Sequence, residues 1–167
     1  CDDGNRGQGP SAAWVRMPSS GFDGSFMHHP QDALTILVVD DDQAALRLHG
    51  RFLEAAGYRV ITATNGREGM QRVLADGPMM ILTDWAMPEM DGLELCRAIR
   101  GHEAISFAYV IVLTANESDD EDVAATFEAG ADDYLVKPVK RRALLARVRA
   151  GERIVKLHLT IGRRNQE

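Results

Sequence analysis

Five short apolar runs alternate with segments of helical periodicity along most of this 167-residue chain. Each run is apolar enough to be buried on both faces, as the strands of a parallel sheet are. Strands that alternate with helices predict an α/β fold, with helices on both faces of the sheet and right-handed crossovers. The five predicted strands are residues 34–39, 58–63, 79–83, 109–113 and 133–136.

Apolar stripes in the intervening segments predict which face of each helix packs on the sheet. Asp42 precedes the first helix and is the expected N-cap residue, because a short carboxylate accepts hydrogen bonds from the backbone N–H groups of the first turn. The residues expected to face inward are Ala45, Leu48, Phe52 and Ala56 in the first helix, Met70, Val73 and Leu74 in the second, and Leu95, Cys96 and Ile99 in the third.

The chain divides into three parts by composition. Residues 1–33 are rich in glycine, proline and serine and have no periodic apolar face, which predicts a flexible N-terminal tail, part of it derived from cloning. Residues 34–150 carry the strands and helices of one domain. Residues 151–167 are expected to form a helical extension or a linker.

The last helix carries a series of residues with alternating spacings of three and four, which is typical of a coiled-coil seam. Its members are Leu145, Val148, Glu152, Val155 and Leu159. Two interpretations fit this series. The seam belongs either to an extended C-terminal helix that continues past the sheet, or to a slightly long terminal helix that frays after Gly151.

Charge and composition exclude several classes of function. The formal net charge is −6, which argues against nucleic-acid binding by this domain. The two cysteines are far apart and form no disulfide framework, as expected in a reducing compartment. No apolar run reaches the roughly 18 residues of a membrane span. We therefore expect a cytoplasmic protein without membrane contact.

Reactive side chains follow four of the five predicted strands, at the point where each strand ends. Asp40 and Asp41 follow the first strand, Asp84 the third, Thr114 the fourth and Lys137 the fifth. The carboxyl ends of parallel strands meet at one edge of the sheet, where such folds bind ligands. In a doubly wound, flavodoxin-like sheet with strand order 2-1-3-4-5, the second strand lies at the border and the other four bring these groups together.

Three carboxylates in one small pocket repel one another unless a cation lies between them. Mg²⁺ is the expected cation, because it binds few carboxylates and takes its remaining oxygen ligands from water and phosphoryl groups. A carboxylate nucleophile beside Mg²⁺ can form an aspartyl phosphate. Lys137 and Thr114 can then neutralise and hydrogen-bond the phosphoryl oxygens, so we predict that Asp84 is the nucleophile.

Four sequence motifs resemble the receiver domain of two-component response regulators, which has the CheY-like fold. They are VVDD at residues 38–41, LTDWAMPEMDG at 82–92, LTA at 113–115 and YLVKP at 134–138. The resemblance covers about residues 34–150. It is highly specific, because four separate motifs occur in the order and at the distances typical of that family.

The resemblance implies a set of metal ligands. Asp84 would be both the phosphoacceptor and a ligand, Asp41 a direct ligand of Mg²⁺ and Asp40 a ligand through water. The backbone carbonyl of Ala86 would complete the protein ligands.

The resemblance also implies residues that hold the phosphoryl group and respond to it. Thr114 would donate a hydrogen bond to the group, Lys137 would pair with it, and the Lys137–Pro138 peptide bond would be cis. Tyr134 would be the aromatic switch, which turns inward when Thr114 moves toward the phosphoryl group. The alternative is a tyrosine that simply packs at the end of an edge strand.

A receiver takes its phosphoryl group from a sensor histidine kinase or a histidine phosphotransfer protein, and these are the partners that the resemblance implies. The phosphorylated domain would switch a protein-interaction surface formed by the fourth helix, the fifth strand and the fifth helix. It would regulate an output domain absent from this chain, without turning over a separate substrate. A homodimer through that surface or through the C-terminal helix is a further hypothesis.

Two alternatives compete with this interpretation. A haloacid-dehalogenase-like phosphatase also uses an aspartate pair after its first strand, as Asp40 and Asp42 would provide. Ala44, however, replaces the threonine or valine that this family favours, and no acidic pair follows Lys137. A degenerate receiver that acts only as a binding module is the second alternative, and the intact acids, threonine and lysine argue against it.

Overall fold

The computed structural model describes residues 33–115 and 120–164, which form strands and helices in strict alternation. None of these helices is long and apolar enough to cross a membrane. The elements are β1 (Thr35–Val39), α1 (Gln43–Glu54), β2 (Arg59–Ala63), α2 (Gly66–Asp76), β3 (Met80–Asp84), α3 (Gly92–Arg100), β4 (Tyr109–Thr114), α4 (Asp120–Glu128), β5 (Asp133–Val136) and α5 (Arg141–Arg164).

The five strands form one parallel sheet in the order β2-β1-β3-β4-β5. This order confirms the predicted doubly wound α/β fold. In the register of the central strands, Val39 lies opposite Thr83 and Asp84 lies opposite Leu113. The ends of β1, β3 and β4 are therefore level, and the residues that follow them share one edge of the sheet.

Alternate residues of the strands point to opposite faces of the sheet and build two separate cores. On one face, strand residues such as Val38 and Leu82 pack against α1 and α5. On the other face, strand residues such as Ile81 and Val112 pack against α2 and α3. Both faces of the central strands are therefore buried, which explains why their sequences are continuous apolar runs.

The predicted inward face of α1 is right only in part, because Phe52 and Ala56 pack against the core but the most buried side of the helix is rotated from the predicted one. Leu48 is 47% exposed, whereas Leu46, Gly50 and Leu53 are buried against the sheet. A Cβ at Gly50 would lie 3.8 Å from Cγ1 of Val60 in β2, so a residue without a side chain stands where the helix approaches the sheet. A prediction that considers only large apolar side chains does not recognise a glycine as part of the buried face.

The other helices follow the predictions in part. In α2, Val73 is fully buried and Met70 is half-buried, but Leu74 is 52% exposed and its predicted inward orientation is wrong. All three residues predicted for α3 are fully buried. Asp42 caps α1 by accepting a 2.8 Å hydrogen bond from the backbone N–H of Ala44, as predicted.

The C-terminal helix α5 is continuous over Arg141–Arg164, so the extended helix is confirmed and the alternative, a helix that frays after Gly151, is wrong. Leu145, Val148 and Val155, which belong to the predicted coiled-coil seam, are buried in the core on the α1 and α5 face. That seam is therefore the face with which α5 packs on its own sheet.

Gly151 lies where α5 packs closely against β3 and β4 of the sheet. A Cβ at this position would lie 2.6 Å from the ring of Tyr109 and 2.8 Å from Cε of Met80. The next residue, Glu152, accepts a 2.8 Å hydrogen bond from the hydroxyl of Tyr58, and burial together with this carboxylate raises the pKa of Tyr58 to about 12. The helix is thus fixed to the sheet beyond residue 150, where the domain boundary is predicted.

The Gly151→Val variant tests this packing. We expect it to lower the free energy of unfolding by about 1–3 kcal/mol, because the added side chain must displace a buried tyrosine ring. Urea denaturation measures the change. Ala146→Val, at an exposed position of the same helix, introduces the same β-branched residue and should change the stability by less than about 0.7 kcal/mol. Equal stability of the two variants would contradict the packing described.

Candidate functional site

Three aspartates meet at the carboxyl edge of the sheet. Asp40 and Asp41 follow β1, and Asp84 is the last residue of β3. Their carboxylate oxygens lie within 4.8 Å of one another. Asp40 and Asp84 are 1% and 7% exposed, whereas Asp41 is exposed to solvent. The adjacency of β1 and β3 therefore produces the predicted acidic cluster.

Lys137 supplies the cation that faces this cluster. It follows β5, and the Lys137–Pro138 peptide bond is cis, as predicted. Its Nζ lies 2.7 Å from Oδ1 of Asp84 and 3.4 Å from Oδ2 of Asp40. One ammonium thus pairs with two of the three carboxylates.

The charges at the site shift one another's protonation equilibria. Burial raises the pKa of Asp84, the Lys137 ammonium opposes this rise, and the charge of Asp40 adds to it. Burial alone would lower the pKa of Lys137, but the hydrogen bond and charge of Asp84, together with Asp40, outweigh it and raise that pKa. The lysine therefore stays charged, and its charge favours the ionised form of Asp84.

An open pocket of about 320 Å³ lies directly beside Asp84. The pocket is lined in part by Thr114, the buried last residue of β4, and by Ala86, two residues after Asp84. It also includes Asp122 in the first turn of α4, where the sequence indicates only an acidic helix start. The pocket is lined by Asp84, Trp85, Ala86, Thr114, Ala115, Asp122 and Lys137.

The loop between β3 and α3, which carries Ala86, is held at both ends by glycines. The backbone N–H of Gly92 donates a 2.8 Å hydrogen bond to the carbonyl of Trp85, and a Cβ at Gly92 would collide with the backbone oxygen of Asp84. Likewise, a Cβ at Gly66 would collide with the backbone oxygen of Met90. No larger residue fits at either position without displacing this loop.

Carboxyl groups also fix the start of α3 after this loop. The side chain of Asp91 accepts a hydrogen bond from the backbone N–H of Glu94, and the side chain of Glu94 accepts one from the backbone N–H of Asp91. This capping box satisfies two donors that a helix start would otherwise leave unpaired. The Asp91–Gly92 pair at the end of the second motif therefore marks the start of α3.

Comparison with known proteins identifies the family. A model described as "Response regulator receiver domain" matches residues 36–149, which is more than half of the chain. The chain belongs to the response regulator receiver family. This family functions in two-component signalling and is distinct from the haloacid-dehalogenase-like phosphatases considered above. Receivers are typically not turnover enzymes.

Two relatives are about twice as long as the segment that matches this chain. The response regulator MprA of Mycolicibacterium vanbaalenii is 45% identical over 115 residues, which cover 69% of this chain and 48% of that protein. The transcriptional regulatory protein GltR of Pseudomonas aeruginosa is 40% identical over 116 residues, with 70% and 48% covered. The chain thus spans about half the length of these relatives.

Solved receiver structures share the fold over nearly their whole length. The chemotaxis protein CheY4 of Vibrio cholerae superposes with a TM-score of 0.67 at 30% identity, covering 71% of this chain and 98% of that one. A CheY-like receiver domain protein of Methanospirillum hungatei gives a TM-score of 0.67 at 31% identity, with 74% and 98% covered. The predicted CheY-like fold is therefore confirmed.

Tyr134 lies in β5 of the receiver and is half-buried. Its ring makes an edge contact with Phe127 of α4, with 5.9 Å between the ring centroids. Its neighbour in β4 is Val112, two residues before Thr114. Tyr134 therefore packs between strand and helix, and its part in switching stays a prediction.

His49 is a buried group of the receiver that sequence reasoning missed. It lies in α1 and is 4% exposed, and its Nδ1 has no hydrogen-bond partner among residues 33–115 and 120–164. It lines a groove together with Leu48, Lys137 and Pro138. Burial lowers the pKa of His49, and the charge of Asp40 opposes this only in part. The sequence signal that could have found it is its spacing, four residues after Ala45 and three before Phe52, both of which were predicted to face inward.

The lowered pKa of His49 predicts a loss of stability at acidic pH. The unfolded chain binds a proton at this histidine near its ordinary pKa of about 6.5, whereas the folded chain binds it only at lower pH. The stability that His49 contributes is therefore present above about pH 6.5 and falls as the pH drops below it.

We expect His49→Leu to lose less stability than the wild type between about pH 7.5 and pH 5.5, measured by urea denaturation. His102→Gln is the matched control, because His102 is exposed, and it should follow the wild type. An equal loss in the wild type and in His49→Leu would show that His49 does not titrate as described.

Proposed function

We propose that this receiver accepts a phosphoryl group on Asp84 and uses its presence as a signal. The observation that carries the proposal is the 2.7 Å contact between the Lys137 ammonium and Asp84 Oδ1, within a cluster of three carboxylates beside an open pocket. A buried acceptor, a fixed cation and space for a tetrahedral group are what phosphoryl transfer to a carboxylate requires.

The donor set fits Mg²⁺. The cluster offers hard carboxylate oxygens close together, and one ammonium leaves more negative than positive charge at the site. Asp41 would be a direct ligand, Asp40 a ligand through water, and Asp84 and the carbonyl of Ala86 the remaining protein ligands. When bound, the ion would supply charge neutralisation for the oxygens of the phosphoryl group.

The proposed reaction needs few groups from the protein. A carboxylate oxygen of Asp84 forms a bond to phosphorus, while the bond from phosphorus to the imidazole nitrogen of a phosphohistidine breaks and its electron pair stays on the nitrogen. Lys137 pairs with one phosphoryl oxygen, and the hydroxyl of Thr114 donates a hydrogen bond to another. Burial makes the acceptor more basic, while Lys137 keeps it available as the anion.

The donors in this proposal are a sensor histidine kinase or a histidine phosphotransfer protein. Support comes from family membership and from the names of relatives, among which MprA is called a response regulator and GltR a transcriptional regulatory protein. The receiver would regulate an output domain, and it would help to hydrolyse its own aspartyl phosphate.

The proposed switch couples Thr114 to Tyr134. As Thr114 turns toward the phosphoryl group, it would vacate space that the ring of Tyr134 can enter, ending the edge contact with Phe127. The surface of α4, β5 and α5 would change shape as a result. This surface is where we place the response to phosphorylation.

Incubation with acetyl phosphate and Mg²⁺, followed by intact-mass analysis, tests the proposal. The wild type should gain the mass of one phosphoryl group, and removal of Mg²⁺ with EDTA should abolish the gain. Asp84→Asn should gain none, because an amide is not a nucleophile of this kind. Asp42→Asn is the matched control, because asparagine caps a helix as well as aspartate does, and it should react like the wild type. A wild type that gains no mass, or an equal gain in Asp84→Asn, would refute the proposal.

A further inference from the structure

The face of α4 that packs on the domain carries a carboxylate. Thr126 and Ala129 lie on this face and are 1% and 3% exposed. Asp122 precedes them by four and seven residues, which places it on the same face of the helix. It is half-buried. The hydroxyl of Thr126 donates a 2.8 Å hydrogen bond to the backbone carbonyl of Asp122, so the first turn of α4 is fixed to the buried part of the helix.

The helix N-terminus does not by itself account for this placement. The first turn of α4 contains Asp120, Glu121 and Asp122, and a negative charge at any of these positions interacts favourably with the helix dipole. Asp120 and Glu121 do so while exposed to solvent. Asp122, in contrast, loses part of its hydration, which is unfavourable for a carboxylate. A role other than stabilising the helix would explain why an acid lies on this face.

The space beside Asp122 is the pocket that contains Asp84. Among the residues that the structure describes, only Asp84 and Asp122 line this pocket with carboxylates. Lys137 also lines it, and its raised pKa keeps it protonated. Under the proposed function, Asp84 carries the phosphoryl group and no longer offers a free carboxylate. Asp122 is then the remaining base of the pocket lining within residues 33–115 and 120–164.

The pocket can admit the water that hydrolysis of an aspartyl phosphate requires. It is open to solvent and has a volume of about 320 Å³. One water molecule occupies only roughly 30 Å³ in the liquid. Ala86 lines the pocket with a methyl group, so no large side chain at that position closes the approach to Asp84. A phosphoryl group and a water molecule can therefore be present together.

We propose that Asp122 is the general base in the hydrolysis of the aspartyl phosphate on Asp84. The inference rests on the proposed function, because it needs Asp84 to carry a phosphoryl group. It assigns to Asp122 the control of how long the phosphorylated state lasts. A positioned side chain that takes a proton from the attacking group typically accelerates a reaction by about 10²–10⁴-fold.

The proposed step begins with a water molecule that donates a hydrogen bond to the carboxylate of Asp122. As the water oxygen forms a bond to phosphorus, the bond between phosphorus and the carboxylate oxygen of Asp84 breaks, and its electron pair remains on Asp84. The proton of the water passes to Asp122 and from there to solvent. The products are inorganic phosphate and the two original carboxylates, so the receiver returns to its starting state.

The rate at which the phosphorylated chain loses its phosphoryl group tests the proposal. The full chain is phosphorylated with acetyl phosphate and Mg²⁺, the acetyl phosphate is removed, and the loss of phosphoryl mass is followed by intact-mass analysis. Asp122→Asn should lose the group at least about 10-fold more slowly than the wild type. Asp120→Asn is the matched control, because it removes the same charge from the same helix turn at an exposed position. It should lose the group at the wild-type rate.

Three results would count against this role of Asp122. Equal rates of loss in all three proteins, or equal slowing in both variants, would overturn it. A variant Asp122→Asn that gains the phosphoryl group faster but loses it at the wild-type rate would show that Asp122 only repels the group. A wild type that gains no phosphoryl mass would refute the proposed function itself, and the inference with it, so the two failures are distinguishable.

Chemical rescue separates a base from a structural role at the start of α4. Formate is a small carboxylate that can enter the space left by Asp122→Ala, and it should accelerate the loss of the phosphoryl group from that variant several-fold. Chloride at the same concentration should not. Asp122→Glu, which keeps the carboxylate, should lose the group faster than Asp122→Asn. If neither formate nor glutamate restores the rate, Asp122 is not the base and the proposal fails.

Discussion

The ammonium of Lys137 is the charge on which the arrangement at the edge of the sheet depends. It lies 2.7 Å from Asp84 and 3.4 Å from Asp40, where buried carboxylates would otherwise repel each other. The strand order makes this contact possible, because it sets the ends of β1, β3, β4 and β5 side by side. One ammonium still leaves the cluster with excess negative charge, which is why a divalent cation fits the same site.

The surroundings of Asp84 combine a rigid part with parts that have room to move. Gly66 and Gly92 allow the loop after β3 to lie against the backbone of its neighbours, which fixes the position of Ala86. Tyr134, in contrast, is only half-buried, and its ring makes an edge contact with Phe127 of α4. In our proposal, the loop after β3 positions the phosphoryl group, and the ring of Tyr134 moves in response to it.

The sequence predicted the strands, their order and the residues at the edge of the sheet, because buried parallel strands are continuous apolar runs and the reactive groups follow them directly. It predicted helix faces less well. In α5, two series with spacings of three and four overlap, and only the structure distinguishes the series of Val148 and Val155, which packs on the sheet, from that of Ile154 and Leu157, which does not. His49 was missed because its burial depends on how α1 is rotated against the sheet.

Reductive trapping shows whether Asp84 forms an acyl phosphate, as we propose. Borohydride converts an aspartyl phosphate to homoserine, so the modified residue can be located by peptide mass analysis after reaction with acetyl phosphate and Mg²⁺. We expect homoserine at position 84 and aspartate at positions 40 and 41. Homoserine at either of those two positions, or at none of the three in a protein that has gained phosphoryl mass, would contradict this proposal.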